Sequence, residues 1–384
     1  MMSQPDFRVI HVFPYSPRVS GGHSNAILSF IACQRAKGIN AVAIAPKPEE
    51  GGTEANYAFP LVEVDSLWSL RWAALADRLA IAPGDSLVNL HSVNYRFAPL
   101  LSDLRRAGIP YVLTSHGQLN FRSALHGFKK FVYLNLVDRG PRSAAGMHIL
   151  TTEADRRLQL LMPGYQGLRL IQGHVVRVPN LSALPIGSRS DYGIPPNGFV
   201  LIFLGRLDVW GKGLDLVVEA FSRLPADWFW LLMVGPDWMG GKAKLEQLAE
   251  ELGCRNRIRF PGPIYGDQKW SLLRMGDVFV SPSRWEAFNI AQTEAMAVGL
   301  PVVTSTKVNL APELREADAA LLTPLAVEPL AKAISSLEAD QELRRTLGKR
   351  GKAWAETNCN PERAGLRFQE FYQAILKRRR GVRG

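Results

Sequence analysis

Only three cysteines occur in 384 residues, Cys33, Cys254 and Cys359, and none stands in a C-x-x-C spacing. An odd, scattered set excludes a disulfide scaffold, argues against a zinc site and suits a reducing cytoplasm. No apolar run approaches the roughly 18 residues that span a bilayer. The polar start, Met1 to Asp6, lacks the pattern of a signal peptide, so the expected location is cytoplasmic. Acid is also short: 35 Asp and Glu against 46 Lys and Arg leave a formal net charge of +11. Such an excess asks for an anionic partner. No zinc-finger, RNA-recognition or other nucleic-acid signature accompanies it, so nucleic acid is not expected, and anionic lipid or a phosphorylated substrate explains the charge as well. Part of the excess is a tail, Lys377-Arg-Arg-Arg380 with Arg383, that reads as a solvated end. There is no internal repeat, no G-x-G-x-x-G and no D-x-D-like pair beside a phosphate-binding loop, so a dinucleotide fold is poorly supported and a metal is not expected.

What is present is a folded-protein composition, 47% hydrophobic and 21% charged, in a chain too long for one ordinary core. Two domains of about 150–200 residues are expected. The second half alternates regularly. Strands are expected at Phe199–Leu204, Trp228–Val234, Ile258–Phe260, Val278–Ser281, Pro301–Thr304 and Ala320–Leu322, with helices at Leu214–Arg223, Lys242–Leu252, Asp267–Arg274 and Asn289–Val298. Such alternation specifies a parallel, doubly wound sheet.

Two stretches of this half carry chemistry. Gly205-Arg-Leu-Asp-Val-Trp-Gly-Lys-Gly213 follows a strand and precedes a helix, and it offers Arg206 and Lys212 at a carboxyl strand end, where open α/β sheets bind ligands. Gly213 stands where a Walker A loop needs Ser or Thr, so the loop is a cation pair able to hold a diphosphate without a metal. Ser283-Arg-Trp-Glu-Ala-Phe-Asn-Ile-Ala-Gln-Thr-Glu294 places two carboxylates, Glu286 and Glu294, eight residues apart. Eight helical residues rise about 12 Å, which suits a long ligand with hydroxyls at both ends and phosphates between. Phe288, Asn289 and Ile290 fall at a helix N-terminus, whose free N–H groups favour an anion.

The Arg206…Lys212-Gly213 loop and the Glu286-x7-Glu294 motif, in that order on strand-loop-helix contexts, resemble those of glycosyltransferase family 4. That family comprises retaining nucleotide-sugar transferases of GT-B fold: two Rossmann-like doubly wound domains facing across a cleft, with a C-terminal helix crossing back to the first domain. The resemblance implies a first domain over 1–183 that binds the acceptor, a donor domain over 184–360, and a returning helix with its basic tail over 361–384. It implies that Glu294 binds the ribose hydroxyls, that Glu286 and His116 contact the transferred sugar, and that the Gly21-Gly22 loop lies beside the donor phosphates. Backbone groups of Pro263 and Ile264, after the third strand of the second half, would cradle the base. The loop from Asn309 to Leu314 covers a family loop near the donor but lacks its glycines.

The first half is less regular. Phe7–Phe13, His23–Lys37 and Asn40–Ala45 read as a βαβ opening, with Gly21-Gly22 either a tight turn or a phosphate loop. Ser86–Leu90 and Tyr111–Thr114 read as strands ending at His91 and at Ser115-His116-Gly117; His91 reads as structural, whereas His116 at a strand end faces a ligand. Leu67 to Leu79 reads as an amphipathic helix with Trp68, Trp72, Leu75 and Leu79 on one face, for core packing or for lipid. Phe121 to Asp138, basic and amphipathic, is either a solvated or partner-facing helix or a contact with an anionic membrane. Ala145–Thr151 reads as a further strand and Leu184–Gly198 as the linker. Near the end, Phe368, Phe371, Tyr372 and Ile375 form an apolar helical stripe.

The expected activity is transfer from a nucleotide-diphosphate sugar to a lipid-linked or polysaccharide acceptor, with no cofactor beyond the donor. Leaving-group stabilisation would come from Arg206, Lys212 and the N–H groups near Phe288. No nucleophile stands out for double displacement, so front-face attack is the more economical mechanism. A sugar-nucleotide epimerase of the same fold and a non-catalytic sugar-nucleotide binder are the competing readings.

Overall fold

The computed structural model describes residues 7–18, 22–48, 57, 59–79, 86–92, 97–117, 124–137, 140–225 and 228–382. The chain divides into two compact units, Met1–Val175 with Asn360–Gly384, and Val176–Cys359. The first unit therefore closes at 175, eight residues before the boundary read from the linker at 183, and regains the chain at Asn360.

Unit 1 is built on seven parallel strands: β1 Arg8–Val12, β2 Asn40–Pro46, β3 Leu61–Val64, β4 Ser86–His91, β5 Tyr111–Ser115, β6 Gly146–Ile149 and β7 Leu168–Ile171. They lie in the order β3-β2-β1-β4-β5-β6-β7, so the winding reverses between β1 and β4. Val12 pairs with Ile44 on one side and Leu90 on the other. Strands such as Ser86–His91 are buried along their whole length, as a parallel sheet covered on both faces requires. Its helices are α1 Gly22–Arg35, α2 Trp72–Arg78, α3 Ala98–Arg106, α4 Ala124–Val132 and α5 Thr152–Leu161. A single π-helical turn, Tyr133–Val137, follows α4.

Unit 2 repeats the topology with six parallel strands: β8 Phe199–Leu204, β9 Phe229–Val234, β10 Ile258–Gly262, β11 Val278–Ser281, β12 Val302–Ser305 and β13 Leu321–Thr323. The order is β10-β9-β8-β11-β12-β13, with the reversal between β8 and β11. Its helices are α6 Leu214–Ser222, α7 Gly241–Glu251, α8 Gly266–Met275, α9 Ile290–Ala297, α10 Ala311–Glu316, α11 Val327–Ala339 and α12 Gln341–Asn358. Apolar runs such as Phe199–Leu204 and Val278–Ser281 form the strands the sequence indicates, to the residue.

The last helix, α13 Pro361–Val382, belongs to unit 1. Its apolar stripe is buried there, with Phe368 and Tyr372 fully so. Gly146 admits it: a Cβ at that position would lie 2.6 Å from the Phe371 ring and 2.8 Å from Ile375. The returning helix expected from the resemblance is thus found, seated on the first domain's sheet.

The Leu67–Leu79 reading needs correction. The helix begins only at Trp72, and Trp68 lies before it, 50% exposed, while Leu67, Leu70, Trp72 and Leu75 enter the core. The apolar spacing comes from core contacts of a loop and a short helix, which periodicity alone cannot tell from one longer helix.

Candidate active site

Parallel doubly wound sheets bind ligands beyond the strand carboxyl ends, at the reversal of strand order. In unit 2 that point lies between β8 and β11, and the two motif loops leave those two strands. Glycine brings the loops together. Gly213 has φ +67° and approaches so closely that a Cβ would stand 2.3 Å from the Pro282 carbonyl oxygen. A backbone N–H of Arg284 donates to the Gly211 carbonyl at 3.1 Å, and the Arg284 guanidinium binds both oxygens of Asp215, at 2.7 and 2.6 Å. This bidentate clamp fixes the β11 loop to the first turn of α6.

On that frame the Lys212 ammonium donates to the Glu286 carboxylate. Both side chains are largely buried, 20% and 14% exposed. The N–H of Asn309 donates to the Glu286 carbonyl at 3.1 Å, so the loop before α10 also braces this residue. Asn289 is the N-cap of α9: its Oδ1 accepts from the Gln292 N–H at 3.2 Å, and its amide donates to Ser281 Oγ at 2.8 Å. Phe288 is buried just before the cap and Ile290 opens the helix.

Glu294, in the second turn of α9, accepts from the Lys269 ammonium at 2.5 Å. Burial raises its pKa above the ordinary carboxylate range, and the Lys269 charge opposes that shift without cancelling it. Lys269 went unnoticed in the sequence. It sits three residues into α8, the helix that follows the Gly262-Pro263-Ile264 loop, and a lysine in a helix's first turn gives no signal without knowing what it faces. Pro263 is exposed and Ile264 half-buried at the end of β10.

Arg206 takes a different course. It is exposed and its guanidinium lies over the Trp238 ring, 4.3 Å from the centroid. Trp238 stands in the loop after β9, which the Gly205 and Gly235 crossing holds against the β8 loop: a Cβ on Gly235 would meet the Gly205 carbonyl at 1.9 Å. Sequence reasoning grouped Arg206 with Lys212; the structure pairs Lys212 with Glu286 and stacks Arg206 on an indole.

In unit 1, His116 follows β5 and is half-buried. Its Nε2 lies 3.0 Å from His91 Nδ1, its ring meets His23 edge-on at 4.1 Å between centroids, and it stacks on His174 at 5.5 Å. Burial drives the His116 and His91 pKa values well below the free value, with the neighbouring imidazoles adding to the shift. Gly22 opens α1 with open space on its Cβ side, without positive φ, so the tight-turn reading does not apply to it. Gly21 lies outside the described residues. Among the described residues, no three His, Cys, Asp or Glu side chains group as metal ligands, and no helix is long and apolar enough to cross a membrane.

Residues 188–354 match the family model described as glycosyl transferases group 1. The phosphatidyl-myo-inositol mannosyltransferase of Mycobacterium leprae (strain TN) is 29% identical over 332 residues, 83% of this chain and 83% of that protein. The lipopolysaccharide core biosynthesis glycosyltransferase LpsE of Rhizobium meliloti (strain 1021) is 32% identical over 164 residues, 42% of this chain and 46% of that one. Among solved structures, Anabaena Alr3699/HepE in complex with UDP and glucose superposes with a TM-score of 0.75 at 19% identity, covering 96% of this chain and all of that one (100%). The two parallel sheets and the solved structures give the chain a GT-B fold, and the motif loops at the β8/β11 reversal lie within residues 188–354, the part that matches the glycosyl transferases group 1 family.

Proposed function

We propose that the chain is a retaining, metal-independent hexosyltransferase that moves a sugar from a nucleotide-diphosphate donor to a lipid-linked or glycan acceptor. The observation that carries this reading is the Lys212–Glu286 pair at the β8/β11 reversal, with a second pair, Glu294 of α9 and Lys269 of α8, eight residues further along the same motif. Glu294 accepts from the ribose hydroxyls and Glu286 from hydroxyls of the transferred sugar. Lys212, pivoting from Glu286, and Arg206, leaving Trp238, neutralise the departing diphosphate together with the N–H groups of Phe288 to Ile290. Pro263 and Ile264 bracket the base, His116 contacts the sugar, and Gly22 leaves room for a phosphate at the start of α1. With cations of the protein at the leaving group, no metal bridge is required. No carboxylate is assigned as nucleophile, and retention follows from front-face attack assisted by the leaving diphosphate.

The acceptor class rests on the relatives, one named for mannosyl transfer to phosphatidyl-myo-inositol and one for lipopolysaccharide core synthesis. It also rests on α4, where Leu125 and Phe128 are 64% and 63% exposed beside Lys129 and Lys130. Such a face suits peripheral contact with the anionic inner leaflet. Incubating the purified protein with a panel of nucleotide sugars tests the reading: slow release of nucleoside diphosphate from one donor supports it, and an altered sugar or no turnover with any donor contradicts it.

A further inference from the structure

A cavity of about 600 Å³ opens in unit 1 where β5, β6 and β7 begin. His116 follows the other end of β5, about 15 Å away at the rise of a strand. The cavity therefore lies on the sheet edge opposite to the strand carboxyl ends, where the ligands of such sheets bind. Its apolar wall includes Leu104 of α3, Ile109 just beyond that helix and Ile375 of α13, all three buried. Four arginines join them: Arg105 of α3, Arg142 of the turn Pro141–Ser143, and Arg378 and Arg379 of α13. The basic tail after Lys377, expected as a solvated end, is helical to Val382 and gives two of its arginines to this cavity.

The charge gathered there is not cancelled by acid. No Asp or Glu is among the described residues that line the cavity. Arg142 donates to the Pro163 carbonyl at 2.7 Å and to the side-chain carbonyl of Asn135, and Arg378 donates to the Gln166 carbonyl at 3.0 Å. Neutral acceptors of this kind orient a guanidinium and leave its charge in place. Asp103, on the same helix as Arg105, is paired with Arg106 at 2.8 Å. Like charges set around a concave apolar wall repel one another and raise the local potential, so an anion is favoured there. Guanidinium groups match phosphate oxygens in bidentate fashion, and the volume is that of a small-molecule site.

We infer that this cavity is a second anion site for a phosphate ester. The arginines hold the phosphate, and Leu104, Ile109 and Ile375 hold the apolar part of the same molecule. That chemistry is shared by the headgroup region of an anionic lipid and by a soluble phosphorylated metabolite. The inference is independent of the donor reading, since the donor motifs lie in unit 2.

Calorimetry of the full-length protein with dihexanoyl phosphatidic acid, a soluble ester, tests the site. Wild type is compared with Arg105→Glu and with the combined Arg142→Gln and Arg378→Gln variant. Arg206 and Lys212 are intact in all three proteins, so any phosphate binding by unit 2 is common to them. Wild type should bind the ester, and each variant should bind it roughly tenfold or more weakly. Arg105 is exposed and makes no side-chain hydrogen bond among the described residues, so Arg105→Glu tests the site even where the double variant fails to fold. Equal affinity in wild type and Arg105→Glu, or no binding by wild type, overturns the inference. Flotation with phosphatidylcholine vesicles, with and without phosphatidic acid, then separates the sources. Phosphatidic acid-dependent binding that Arg105→Glu loses supports a lipid, and vesicle binding that the substitution leaves unchanged supports a soluble ester.

Discussion

The ammonium of Lys212 is bound to the carboxylate of Glu286, 74 residues further along the chain. Each comes from a loop that leaves one of the two strands flanking the reversal in unit 2. The pair joins a group suited to a diphosphate with one suited to sugar hydroxyls, and their charges compensate each other.

Removing one partner leaves the other charge largely buried, which costs about 3–5 kcal/mol in such settings. Lys212→Ala should lower kcat by a factor on the order of 10²–10³ by removing leaving-group stabilisation. Glu286→Gln should lower it too. In steady-state kinetics the double variant should lose less than the product of the two single losses, because the residues act as a unit. Strict multiplicativity would separate their roles.

The Glu294–Lys269 pair makes a second prediction. Burial already raises the Glu294 pKa, and Lys269 restrains the rise. Lys269→Met should push it further, so that part of the carboxyl carries a proton nearer neutral pH and loses acceptor capacity. Calorimetry should show weaker nucleoside diphosphate binding for the variant. The deficit should grow as pH falls, because a raised carboxyl pKa means protonation on acidification. Unchanged affinity across pH 5 to 8 would remove Glu294 from the ribose.

Gly213 tests the frame rather than the chemistry. Its φ of +67° and the 2.3 Å approach of a Cβ to Pro282 oxygen leave no relaxed place for a side chain. Gly213→Ala should destabilise the protein by about 2 kcal/mol or more and displace Lys212 from Glu286. Denaturant melts and donor turnover should fall together. A stable, fully active variant would contradict the close crossing.

The histidines of unit 1 set a pH dependence. Burial pushes His11, His23 and His148 down to about 4 and His174 to about 3. In the unfolded chain they titrate near their free value of about 6.5. As pH falls from about 6.5 towards 4, the unfolded state takes up protons that the folded state refuses. Stability should therefore be full above 6.5 and drop steeply below it, by up to about 1.4 kcal/mol per pH unit for each such histidine. Urea midpoints at pH 7.5, 6 and 5 check this; a flat profile would show the imidazoles to be less buried.

Much of unit 2 was legible because its strands are short continuous apolar runs closed by glycine and proline, and its site residues lie within a few positions of strand ends. Unit 1 hid more. Leu61–Val64 and Leu168–Ile171 escape a reading of the sequence because four-residue strands carry little period, whereas Ala98–Arg106 does carry one, in Leu100, Leu101 and Leu104, that the reading passes over. The line of side chains from His116 through His91 and His11 to Gln34 was invisible for a different reason. Its members come from β1, β4, the β5 loop and α1, and only the parallel register brings them side by side. Lys269 and the stacking of Arg206 on Trp238 are likewise contacts between separate loops, which spacing along one chain does not encode. His91, read as structural, proves to join His11 to His116.

The account stands on protein cations, rather than a metal, holding the departing diphosphate. Release of nucleoside diphosphate from the preferred nucleotide sugar, followed in excess EDTA for the wild type and for the combined Arg206→Ala and Lys212→Ala variant, measures this directly. Full wild-type turnover in EDTA with none detectable in the double variant is the predicted result. Turnover abolished by EDTA, or a double variant as fast as wild type, would contradict it.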